Sequence, residues 1–118
     1  MQRSNFQIYN AVSLKYLIGD IVSKNVVFKE EYNKQIYWNY NGSNLYIKDT
    51  NKIGYLSLDN NLNLYISEIP ITIFNYDLNK RNFYYLAENK IKYYLDSYTI
   101  KGIYIYSPNS PYQKMEII

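Results

Sequence analysis

Three Tyr-Leu pairs, Tyr16-Leu17, Tyr55-Leu56 and Tyr94-Leu95, stand 39 residues apart twice over, which divides the chain into copies of one structural unit. Two more apolar columns keep that phase: Ile8, Ile47 and Leu86, and Val27, Ile66 and Ile105. Tyr, Ile and Asn are common enough here for one such match to arise by chance, but several apolar columns in a shared phase are a stronger signal. Internal repeats of this length mark supersecondary units that cannot bury their apolar faces alone.

After Val27, Ile66 and Ile105 the phase slips, because the next bulky anchors, Trp38, Phe74 and Met115, follow 11, 8 and 10 residues later. Loops of unequal length at that point explain the slip. The flanking words still correspond: Ile36-Tyr37-Trp38-Asn39-Tyr40 answers Ile71-Thr72-Ile73-Phe74-Asn75-Tyr76, and Gln113-Lys114-Met115-Glu116-Ile117 is a degraded third copy. One domain of 118 residues with repeats at about 6–44, 45–83 and 84–118 is therefore expected.

Short β-rich stretches run the length of the chain: Phe6–Tyr9, Tyr16–Ile18, Val26–Phe28, Ile36–Tyr40, Leu45–Ile47, Tyr55–Leu58, Leu64–Ile66, Ile71–Tyr76, Phe83–Leu86, Tyr93–Leu95 and Ile103–Tyr106. Asn41-Gly42-Ser43 and Asp59-Asn60-Asn61 read as turns between them, since Asn, Asp and Gly tolerate positive φ. No segment keeps a capped helical period, so the chain is expected to be all-β. Three copies of a four-strand unit make a β-trefoil, because closing the units on one axis removes most exposed sheet edges. That arrangement predicts core layers of Leu17, Leu56 and Leu95, of Val27, Ile66 and Ile105, and of Trp38, Phe74 and Met115.

Function classes narrow by what the chain lacks. With neither Cys nor His there is no disulfide, no thiolate or imidazole zinc site and no histidine base, so a non-enzymatic protein without cofactor or metal is expected. Basic residues number 13 against 10 acidic and are scattered, with Lys80-Arg81 the densest pair, which argues against a nucleic-acid stripe. Neither a signal-like apolar segment after Met1 nor an apolar run of membrane-spanning length is found. Release from a bacterium without a recognisable signal, or an extracellular setting, with no membrane insertion, fits these features. The 17 tyrosines suit strands and amphipathic surfaces, although an excess of Asn, Lys, Ile and Tyr also matches AT-rich codons.

On the words Gly54-Tyr55-Leu56-Ser57-Leu58-Asp59-Asn60, Gln35-Ile36-Tyr37-Trp38 and Gln113-Lys114-Met115-Glu116-Ile117, the chain resembles the ricin-B-like (R-type) lectin trefoils. The likeness is nearest to the small haemagglutinin-type trefoils found with clostridial neurotoxin complexes. The family's Gln-x-Trp signature is only partly kept: Gln35 stands one residue too far from Trp38, Phe74 has no glutamine before it, and Gln113 leads to Met115. The resemblance implies a sugar pocket built from an Asp after the Tyr-Leu strand, an aromatic ring and an Asn or Gln on the next hairpin. The third copy supplies these in order, with Asp96, Tyr104, Tyr106, Asn109 and Gln113. The second offers Asp59, Asn60, Tyr65 and Asn75, and the first Asp20, Phe28 and Asn39.

The expected ligands are glycans of glycoproteins or glycolipids, bound as a haemagglutinin-like part of a toxin complex. Other readings stay open. Asp96 bonding turn amides and Gln113 bracing its hairpin would be purely structural. The chain would then be an adaptor trefoil for a protein partner, and Ser107-Pro108-Asn109-Ser110-Pro111 is the one stiff loop suited to a protease inhibitor. Asn41-Gly42-Ser43 matches a glycosylation acceptor but reads better as a turn, Glu30, Glu31 and Glu88 as solvated charges, and Trp38 as a core plug.

Overall fold

A computed structural model describes residues 1–30 and 37–118. Gln35, Ile36 and Glu31 lie outside the described residues. Among those described there are twelve strands: β1 Arg3–Asn10, β2 Lys15–Gly19, β3 Val26–Lys29, β4 Tyr37–Tyr40, β5 Leu45–Asp49, β6 Lys52–Leu58, β7 Leu64–Ser67, β8 Asn75–Asp77, β9 Asn82–Leu86, β10 Lys92–Leu95, β11 Ile103–Ile105 and β12 Glu116–Ile117. A 3-10 turn at Pro111–Gln113 precedes β12. The protein is all-β, as expected.

Strands run in the order β3-β2-β1-β4-β5-β6-β7, with β12 beside β1, while β11-β10-β9-β8 form a second sheet. Every pairing is antiparallel, including the link from Ile8 to Ile117 that joins the two ends of the chain. Single backbone bonds span the remaining gaps. Phe74 N–H donates to the Ser43 carbonyl at 2.8 Å and Met115 N–H to the Arg81 carbonyl at 2.7 Å, so the sheets make a nearly closed, barrel-like wall.

Local chemistry sets the corners. Asn41 Oδ1 accepts the N–H groups of Ser43 and Asn44 while Gly42 takes a φ of 95°, which makes Asn41-Gly42-Ser43 the expected turn. Asp20, Asp59 and Asp77 each accept two backbone N–H groups from the residues that follow and shape the other tight reversals. Only the end of Ile71–Tyr76 pairs as a strand: β8 starts at Asn75, and the extended stretch before it alternates exposed Ile71 and Ile73 with buried Thr72 and Phe74.

Alternation within the strands delivers the core. Phe6, Leu45 and Phe83 are buried, as are Leu17, Leu56 and Leu95 and the set Trp38, Phe74 and Met115. The column Val27, Ile66 and Ile105 does not hold, because Val27 is 39% and Ile105 46% exposed. Register gives the reason. Leu17 lies opposite Phe28, Leu56 opposite Ile66 and Leu95 opposite Ile103, so Phe28, Ile66 and Ile103 are the matching buried residues. The intervening hairpins span 11, 10 and 8 residues, so Val27 falls one residue short of Phe28 and onto the other face, whereas Ile105 falls two beyond Ile103, on the same face but at the last residue of β11. Leu86 is likewise 44% exposed, since Phe83 to Leu95 is one residue longer than Phe6 to Leu17, and Tyr85 packs against the core in its place.

Candidate functional site

In the third copy a short hairpin is followed by a long loop. From Ile103 to Met115 there are 12 residues, against 8 from Ile66 to Phe74, and the extra length carries Pro108 and Pro111. Proline restricts φ, so the loop holds its course without strand partners. It stands away from the β8–β9 turn and leaves an open groove of about 510 Å³ between them.

Tyr106, Asn109 and Gln113 line this groove together with Asn79, Lys80 and Asn82; Asp96 and Tyr104 do not. Asp96 directly follows β10, with its side chain buried. Its Oδ1 accepts Tyr98 N–H at 2.9 Å and its Oδ2 accepts Gln113 Nε2–H at 3.1 Å. Gln113 also donates to the Ile105 carbonyl at 2.8 Å, and its Oε1 accepts Ser107 N–H at 3.1 Å. The pair thus braces the base of the long loop. Asp96 also differs from Asp20 and Asp59 in position, following the strand leucine by one residue rather than three.

Tyr104 and Tyr106 are both exposed but have different neighbours. Tyr104 is cross-strand from Tyr94, and Tyr106 packs its ring against the buried Tyr94 ring at 5.2 Å, tilted 52°. Tyr84 continues the cluster from β9, 5.3 Å from Tyr94. Lys80 Nζ stands 4.5 Å from the centre of the Tyr106 ring, a cation–π distance, and the Tyr106 hydroxyl raises the Lys80 pKa above its ordinary value.

Sequence reasoning missed three residues here. Asn82 is only 3% exposed on the groove wall, and its Oδ1 has no hydrogen-bond partner among the described residues. Its counterpart 38 residues earlier, Asn44, uses its amide to donate to the Thr72 carbonyl at 3.2 Å. The recurring Asn before Leu45 and Phe83 was the available signal. Lys80 was legible only as half of a basic pair. Asn10 is the third: fully buried, it donates to the Pro111 and Lys114 carbonyls at 2.9 Å and accepts the Val12 and Ser13 N–H groups. It ties the long loop to the first hairpin.

The other two copies are arranged differently. A groove of about 620 Å³ includes Asp59 and Asn60 but neither Tyr65 nor Asn75. Phe28 and Asn39 are buried, with Asn39 Oδ1 accepting Asn5 N–H at 3.1 Å. Trp38 is fully buried and donates through Nε1 to the Leu17 carbonyl at 2.8 Å, as a core plug. Among the described residues no three acidic side chains converge as metal ligands would. No family model, curated protein or solved structure matches the chain.

Proposed function

We propose that this chain is a β-trefoil that binds carbohydrate and catalyses no reaction. The fold reading rests on recurrence. Ser43 bonded to Phe74 and Arg81 bonded to Met115 are the same contact, each two residues before a buried anchor, Leu45 or Phe83, and Phe6, the matching anchor of the first copy, lies opposite Trp38. The function reading rests on the groove beside Tyr106. Asn79, Ser107, Asn109 and Ser110 surround an aromatic wall with amide and hydroxyl groups, and a sugar needs paired donors and acceptors next to an apolar surface. Glycans of glycoproteins or glycolipids outside the producing cell are the proposed ligands, with the chain acting as a haemagglutinin-like part of a larger complex.

Titrating the isotope-labelled protein with lactose, followed by amide NMR, tests this. Resonances at 79–82 and 106–110 should move at millimolar sugar. Tyr106→Ala should weaken binding about threefold to tenfold, the range for loss of one aromatic contact, and Tyr104→Ala should leave it unchanged. If lactose and a panel of other glycans leave those resonances in place, the carbohydrate reading fails.

A second reading has its own support. Ile69, Ile71 and Ile73 are exposed at alternate positions of one extended segment, a pattern suited to protein contact. A stable complex that forms without any glycan and is lost on Ile71→Asp would favour the adaptor.

A further inference from the structure

The charge of the groove is one-sided. Lys80 and Lys114 both line it, and among the described residues no Asp or Glu does. Asp77, the carboxylate that acts on Lys80, uses its Oδ1 to accept the N–H groups of Asn79 and Lys80 at 3.0 Å and so closes its own turn. The Lys80 ammonium stands 4.5 Å from the centre of the Tyr106 ring, a contact that narrows the range of the side chain and so lowers the entropic cost of using it in binding. Beside it, Oδ1 of buried Asn82, which has no partner among the described residues, marks a wall whose polar groups those residues do not all satisfy.

We propose that this groove selects a saccharide bearing an anionic group, a carboxylate or a sulfate, and that Lys80 is the residue that recognises the charge. The proposal rests on the carbohydrate reading above and adds the ligand's charge class. An ammonium pairs with either oxyanion as a point charge, so both chemistries share the site. Lys114 adds positive potential from the opposite wall, and Asn109 and Ser107 face the hydroxyl-bearing part of the ligand.

Affinities for lactose, sialyllactose and sulfated lactose, measured on the full chain by NMR titration, form the test. Both acidic sugars should bind about fivefold more tightly than lactose, an advantage that shrinks near 1 M salt, where screening acts over ~3 Å. Lys80→Gln should abolish the advantage, read as the ratio of acidic-sugar to lactose affinity within that variant. The control is Lys92→Gln, which removes the same charge from a lysine 4.8 Å from the Tyr84 ring and outside this groove; it should leave the advantage intact. Both lysines are exposed, so both variants should fold. Equal binding of neutral and acidic sugars by the wild type overturns the proposal while leaving the carbohydrate reading standing. So does a preference that survives Lys80→Gln. Failure of all three sugars at millimolar concentration removes both.

Discussion

Asp96 does structural work for the groove without forming its surface, and Gln113, which lines it, braces the loop from behind. A carboxylate presented to a ligand can be removed at little cost to stability, whereas Asp96 is buried against Gln113 Nε2 and Tyr98 N–H. Asp96→Ala should therefore destabilise the protein by about 1–3 kcal/mol, the range for leaving buried donors unpaired. A denaturant midpoint equal to that of the wild type would show the carboxylate to be dispensable to the fold. Trp38→Ala should cost more, about 3–5 kcal/mol, because it empties the space of the largest buried side chain and strands the Leu17 carbonyl. A loss below ~1 kcal/mol would contradict its role as a plug. Neither burial nor partner could be read from residue type alone: Asp96 sits beside a leucine much as a ligand-binding Asp would, and only the long loop folding back puts Gln113 over it.

Among the elements, the hairpins determine which residues reach the core. Phe28→Ala and Ile103→Ala should each cost about 2–5 kcal/mol, while Val27→Thr and Ile105→Thr should stay within ~0.5 kcal/mol, as at other exposed sites. Equal losses at all four positions would show that the register is wrong. Turn chemistry makes a separate prediction. Asp59 accepts the Asn63 and Asn61 N–H groups and the Asn63 side chain, and these bonds, led by the Asn63 amide, hold its pKa below the ordinary value. A depressed folded pKa means that the contribution is complete above the unfolded value of ~3.9 and is lost as pH falls through the folded one. The Asn61 and Asn63 amide shifts should accordingly titrate with a midpoint below ~3.9. A midpoint at or above it would show that the bonds do not favour the carboxylate.

At the scale of the whole molecule, the barrel-like wall depends on its last few residues. β12 pairs with β1, Ile118 and Gln7 exchange two backbone bonds at 3.0 and 3.1 Å, and Met115 is a fully buried anchor. A chain ending at Lys114 loses that anchor, worth about 2–5 kcal/mol by itself, together with the strand pairing. Total stabilities of domains this size are about 5–15 kcal/mol. The shortened chain should lose its near-ultraviolet circular dichroism and bind a hydrophobic dye. Melting within a few degrees of the full chain would show that closure contributes little.

The Tyr-Leu repeat and the period-2 alternation were enough to determine an all-β chain, most of its strands, and the burial of Leu17, Leu56, Leu95, Trp38, Phe74 and Met115. These follow from local pattern, since a side chain's face in a strand depends on parity and its burial on being apolar. Where the phase slipped was not legible. A constant 39-residue spacing cannot distinguish Val27 from Phe28, or Ile105 from Ile103, until cross-strand bonds set the register. The groove was legible only in part, because Tyr106, Asn109 and Gln113 are close in sequence but Lys80 and Asn82 come from another hairpin. The tertiary structure alone decided that these meet, because a longer, proline-bearing loop stands off the β8–β9 turn and leaves Asn82 without the kind of contact that Asn44 makes with Thr72.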